Sequence, residues 1–157
     1  MTPSRWLLAL ALCAQALASH AADLKVLTAG AFKPVLLAMQ PQFEARTGHR
    51  LLVDNDTAGG LQRRIAAGEA FDVVISSPAS LKALQGRHLS AAKPPVPVAK
   101  VAIGVAVRRG EPLPDISSVE AFRKMLLESR RIALIDPASG GSSGIYLASL
   151  FESWGLA

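Results

Sequence analysis

An α/β fold with a parallel sheet is predicted by two features of the chain. Runs of aliphatic and β-branched residues alternate with stretches whose apolar residues recur at helical spacing. Strand, helix, strand, helix, strand connectivity implies parallel strands joined by right-handed crossovers. The strand candidates also end in small, polar turns that lead straight into helix starts, as short βα loops do.

Residues 1–21 read as a cleaved secretory signal. Arg5 supplies a positive charge, residues 6–17 form an apolar run, and Ser19-His20-Ala21 places small residues at both positions a signal peptidase reads. That run is shorter than the ~20 residues a membrane-spanning helix needs, so no stable membrane insertion is expected after cleavage. Cys13 is the single cysteine and leaves with the signal, so the mature chain has no disulfide and no thiolate chemistry. The remaining 136 residues suffice for one ordinary core. The net charge of +5, to which Arg5 contributes one, falls to +4. Its basic residues are scattered and not interleaved with aromatics, which excludes a nucleic-acid partner from this reading.

Residues 24–29 read as the first strand. A helix follows over 34–46, with Val35, Leu36, Met39 and Phe43 at helical spacing, Pro34 in the first turn and Thr47-Gly48 as its stop. Residues 50–54 form a second strand, 61–67 a helix ended by Gly68, and 71–76 a third, buried strand. A short helix over 78–85 stops at Gly86. Pro94, Pro95 and Pro97 then impose an extended, semi-rigid path. Beyond them the pattern predicts a long apolar strand over 100–108, a helix over 119–128, a strand over 131–135, and a Gly/Ser turn opening a last helix through Trp154.

In an open parallel sheet, ligands bind in the crevice beyond the carboxyl ends of the strands. Four turns meet that description: 28–31, 55–60, 76–78 and 139–144. Each is small, polar and followed by a helix start, whose free N–H groups and positive dipole end attract an anion. The candidate ligand-binding residues are therefore Thr28, Gly30, Ala31, Thr57, Ala58, Gly59, Ser76, Ser142, Ser143, Gly144 and Tyr146. Thr28, Thr57 and Ser76 read equally as caps of a helix or turn, and Tyr146 equally as a core aromatic beside Leu147 and Leu150.

Other chemistries fit less well. Gly140-Gly-Ser-Ser-Gly144 matches the G-x-S-x-G pattern of a nucleophile elbow, which makes a secreted serine hydrolase using Ser142 the alternative. Such an enzyme places its histidine after the serine, whereas His20, His49 and His88 all precede it. No Gly-Lys-Ser/Thr follows the glycines, and 28–32 lacks the spaced glycines of a dinucleotide site. His49 and His88 have no carboxylate at ligand spacing, and the Asp54-Asn55-Asp56 run lacks the glycine and glutamate of a calcium loop. Neither metal nor cofactor is expected.

The ordered set of Leu24-Lys-Val-Leu-Thr-Ala-Gly-Ala-Phe32, Ala58-Gly-Gly-Leu-Gln-Arg-Arg-Ile-Ala-Ala-Gly68, Phe71-Asp-Val-Val-Ile-Ser76 and Asp136-Pro-Ala-Ser-Gly-Gly-Ser-Ser-Gly-Ile-Tyr146 resembles the periplasmic solute-binding proteins of ABC importers, in particular molybdate-binding proteins. The likeness covers nearly the whole mature chain. It implies a two-lobed, periplasmic-binding-protein-like fold with parallel sheets, a small anionic solute held between the lobes without catalysis, and a membrane permease as partner. On that pattern residues 22–97 make most of lobe 1, 98–109 a crossing strand or hinge, and 110–157 a partial lobe 2. A sensory effector-binding domain on the same fold is a further alternative.

Two departures from the pattern matter. Molybdate binders of this kind place serine hydroxyls where this chain has Gly30-Ala31 and Ala58-Gly59-Gly60. Each missing charged hydrogen bond costs a buried dianion about 1.5–3 kcal/mol, which favours another oxyanion or a small organic acid. The resemblance also implies a longer chain, so an incomplete second lobe with exposed apolar surface and weak or no ligand closure is expected.

Overall fold

The computed structural model describes residues 21–86, 89 and 94–156. The signal candidate up to His20, Cys13 within it, and His88 lie outside the described residues. Strands β1 (Asp23–Ala29), β2 (Arg50–Asp56) and β3 (Val73–Ile75) form one parallel sheet in the order β2-β1-β3. The register runs from Asp23 opposite Arg50 to Ala29 opposite Asp56, and from Val26 opposite Val73 to Thr28 opposite Ile75. The helices are α1 (Lys33–Thr47), α2 (Ala58–Ala66), α3 (Pro78–Leu84), α4 (Val119–Glu128) and α5 (Ser142–Ser153). The alternation thus folds as the α/β pattern predicts, with β1 in the centre.

Side chains alternate across the sheet, so Leu27 points to one face and Val26 and Thr28 to the other. Leu27 joins Leu61, Ile65 and Leu84 in a fully buried cluster, against which Phe71, Val74 and Leu89 pack. Burial of such aliphatic side chains stabilises by about 1.5–3 kcal/mol each. Helices α2 and α3 are also joined by polar contacts, since Ser80 Oγ donates to Ala58 O (3.1 Å) and Gln62 Nε2 to Ser80 O (3.2 Å).

Helix α1 is seated differently from the sequence expectation. Val35 and Met39 are exposed, and Leu36, Gln40, Phe43 and Glu44 form the inward face instead. Gln40 Nε2 donates to Leu51 O (3.0 Å), and Leu51 N–H donates to Glu44 Oε1 (2.8 Å). Two polar side chains therefore satisfy Leu51 on the outer rim of β2, which accounts for their inward position on α1. The Leu51 N–H, with help from Gln40, lowers the Glu44 pKa. Gly48, at φ +73°, ends the helix in the left-handed conformation that glycine adopts without strain.

In the carboxyl-terminal part, α4 and α5 meet through Phe122 and Trp154, whose ring centroids lie 5.9 Å apart at 72°. Arg123 sits over the Trp154 ring at 5.7 Å and donates to its carbonyl at 3.1 Å. The strands expected over 100–108 and 131–135 do not form: among the described residues neither segment takes a β partner. Val101 is 66% and Ile132 48% exposed. An aliphatic run becomes a strand only when a neighbour accepts its ladder bonds and something covers its face, and here neither condition is met.

A surface network ties the sheet to α2. Arg64 bonds Asp54 and, through Nε, Glu69 Oε2 (2.6 Å), while Lys25 Nζ reaches Glu69 Oε1 (2.7 Å). Hydrogen bonds from Arg64 and then Lys25 hold the Glu69 carboxyl at about 2, against an ordinary 4.5. Its ionised form therefore contributes stability that is complete above pH 4.5 and is lost as the pH falls toward 2. Urea midpoints measured from neutral pH down through this window will fall in the native sequence, and Glu69→Gln will show a shallower fall from a lower starting midpoint. Identical slopes would remove Glu69 from the linkage.

Candidate functional site

The carboxyl ends of β1, β2 and β3 bring together the turns picked out in the sequence, but not on equal terms. Thr28 is completely buried, and its Oγ1 donates to the carbonyl of Ala29 (3.2 Å). It serves the sheet interior. Ser76 follows β3 with its Oγ buried and without a hydrogen-bond partner among the described residues. Gly30 and Ala31 open a 3-10 turn over Gly30–Phe32, are exposed, and their N–H groups take no protein acceptor among the described residues.

At the start of α2 the N–H groups of Thr57, Gly59 and Gly60 are already occupied, while that of Ala58 takes no protein acceptor among the described residues. Thr57 caps the helix by accepting from Gly60 N–H (2.9 Å), and the same hydroxyl donates to Ser139 O (2.6 Å). Gly59 N–H donates to Gly140 O at 2.9 Å. Asp56 Oδ1 accepts from Thr57 N–H (2.7 Å), and its carboxylate lies against Gly60, where a Cβ would come within 2.2 Å of it. Ala58 is buried, with its carbonyl taken by Ser80. The chain thus fills this helix terminus with its own oxygen atoms, including a carboxylate that repels a second anion.

The turn before α5 is built by glycine for close packing. Gly140 has φ +80°, a left-handed conformation, and a Cβ there would come within 2.5 Å of Gly59 Cα. A Cβ on Gly144 would come within 2.0 Å of Ile135 O, so its missing side chain makes room for that carbonyl. Ser142 is exposed and Ser143 half-buried at the start of the twelve-residue α5. Their N–H groups take no protein acceptor among the described residues. Tyr146 is 58% exposed on the first turns of the same helix. Among the described residues no imidazole approaches Ser142 as an elbow requires, since His49 Nδ1 accepts from Ala22 N–H (3.1 Å) at the other end of the sheet.

Two cations outside the candidate turns stand at this edge. Lys33, half-buried at the start of α1, donates from Nζ to Asn55 Oδ1 (2.6 Å) and meets no carboxylate among the described residues. Arg63 Nη2 donates to Ser139 O at 3.3 Å. Lys33 had a readable signal, namely a basic residue directly before the helix-starting Pro34 at a strand's carboxyl end. Arg63 had none, because its partner is a backbone carbonyl distant in sequence. Two clefts lie away from this edge, one lined by Leu126, Leu127, Ile132, Phe151 and Leu156 and one by residues of α4 and the segments flanking it. Among the described residues no group of three His, Cys, Asp or Glu side chains could hold a metal ion, and no helix is long and apolar enough to cross a membrane.

Comparison with known proteins agrees with this architecture. The family model for bacterial extracellular solute-binding proteins matches residues 24–157, and the chain belongs to that family. Its parallel three-stranded sheet with flanking helices corresponds to part of a periplasmic-binding-protein-like fold. Similarity also extends to an aconitate isomerase from a Pseudomonas species, 31% identical over 132 residues, which is 81% of this chain and 49% of the relative. The chain therefore spans about half the length of that protein.

The double role of Thr57 is measurable. Thr57→Ala removes both a helix cap and the bond to Ser139, and is expected to destabilise by about 1–2 kcal/mol. Thr57→Ser retains both bonds and is expected to recover most of the loss in urea unfolding. Equal destabilisation by the two variants would assign the effect to the methyl group instead.

Proposed function

We propose that this extracellular solute-binding protein is exported to the periplasm, captures a small anion at the carboxyl edge of its sheet, and delivers it unaltered to the permease of an ABC importer. The observation that supports this most is Lys33. Its ammonium group stands at the crevice mouth beside Asn55, near the open amides of Gly30 and Ala31, and has no carboxylate partner among the described residues. One fixed cation with backbone donors suits a carboxylate, which accepts charge-assisted bonds on two oxygens.

A tetrahedral dianion such as molybdate is served less well. The hydroxyls of Thr28 and Thr57 donate within the chain, and the Asp56 carboxylate already sits at the α2 terminus. The guest is accordingly a small organic acid. The name of the aconitate isomerase relative points the same way, since aconitate carries three carboxylates. That name also favours a second reading, in which the chain is part of an enzyme that isomerises its guest.

Calorimetric titration with trans-aconitate, citrate, molybdate, sulfate and phosphate separates these guests, and proton NMR of bound aconitate over hours separates capture from isomerisation. Binding of a carboxylate with no new aconitate signals is expected. Lys33→Met should weaken carboxylate binding roughly 10–100-fold through loss of a charged hydrogen bond. Unchanged affinity in that variant removes the proposed anchor, and growth of isomer signals overturns the non-catalytic reading.

A further inference from the structure

Alternation along β2 separates three consecutive polar side chains, Asp54, Asn55 and Asp56. The register sets Asp54 beside Leu27, whose side chain packs in the core with Leu61 and Ile65 of α2, and Asn55 beside Thr28 on the opposite face. Both carboxylates are accordingly turned toward α2, where Arg64 bonds Asp54 and stands 3.9 Å from Asp56. Asn55 lies half-buried on the other face, and there its Oδ1 accepts from Lys33 Nζ (2.6 Å). That bond fixes which way the amide points. An ammonium group only donates, so the oxygen of Asn55 must face Lys33 and Nδ2 must face away from it. Nδ2 lies beside Gly30, 3.7 Å from where a Cβ on that residue would stand, and donates to no protein acceptor among the described residues.

Resting on the capture of an anion beside Lys33, we infer that Asn55 determines the specificity of that site: it holds the ammonium at the crevice mouth without neutralising it, and presents Nδ2 to the same guest as a second donor. Aspartate, the residue on either side of it, would pair with Lys33 at this position and use up the cation within the chain. The neutral amide leaves the charge for an incoming group. Lys33 and Asn55 Nδ2 together offer hydrogens and no acceptor, so they select a group with acceptors and no hydrogen of its own. That group is an ionised carboxylate rather than the corresponding amide, with one oxygen on the ammonium and the other on Nδ2.

Calorimetric titration of citrate into Asn55 variants, with folding checked by circular dichroism, tests the assignment. Asn55→Asp conserves shape and supplies Lys33 with a carboxylate partner; citrate affinity should fall by more than about 100-fold while the urea midpoint holds or rises. Asn55→Ala should weaken citrate about tenfold, through loss of one donor to a charged group and of the bond that holds Lys33. Wild-type affinity in folded Asn55→Asp overturns the specificity role and leaves anion capture intact, and a parallel loss of stability and affinity in that variant assigns Asn55 to the fold instead. The wild-type chain gives a measurement that no substitution disturbs. In nitrogen-15-labelled protein the side-chain amide signals of Asn55 should shift on saturation with citrate and stay in place with the neutral triamide of citric acid. Signals that stay in place while citrate binds overturn the role of Nδ2. Absence of citrate binding by the wild type overturns the capture reading and the role of Asn55 together.

Discussion

Two glycines that touch through their backbones hold the two parts of this chain in register. Gly59 opens the helix after β2, Gly140 closes the turn before the last helix, and the bond from one amide to the other carbonyl is 2.9 Å long. Neither position has room for a side chain. Around this point the other contacts fall into place: Thr57 reaches the carbonyl next to Gly140, Arg63 reaches it from the following turn of α2, and Asp56 packs on Gly60. Any larger residue at the crossing would separate the Thr57 and Arg63 contacts with Ser139 at once. The steric requirement is thus stronger than any single hydrogen bond at the site.

Much of the fold was legible before any coordinates. The periodicity located all three strands of the sheet and every α-helix among the described residues, with α4 matched over 119–128 end to end, but neither short 3-10 helix. Caps and stops were readable because they are local: Gly48 and the Thr57 cap act within a few residues of themselves. What failed was non-local. The segments over 100–108 and 131–135 have the composition of strands, but a ladder needs a second chain segment, and composition carries no information about its presence. The face of α1 was misjudged for a related reason, since polar Gln40 and Glu44 turn inward to serve Leu51 on a neighbouring element.

The candidate site divides along the same line. Turns at the strand ends were identified correctly as small and donor-rich, and the coordinates bring Gly59 and Gly140 into contact. The use made of those donors was not readable. Small residues at a helix start are equally suited to admit a ligand and to admit another stretch of backbone, and at α2 the second use prevails. Among the described residues the amides without a protein acceptor here are those of Gly30, Ala31, Ala58, Ser142 and Ser143, and the Lys33 ammonium beside them meets Asn55 but no carboxylate. Positive charge therefore reaches this edge from Lys33, a residue outside every glycine motif, rather than from the loop sequences.

The hydrogen bonding of Leu51 has a further consequence for how the sheet is completed. Glu44 and Gln40 occupy its outward N–H and C=O, and Asp54 takes the N–H of Asn55, which points the same way two pleats on. β2 is consequently a border with part of its pairing groups already occupied, which disfavours the addition of another strand there. Enlargement of this sheet is favoured instead from the β3 side, so a polypeptide that widens it would dock on that flank.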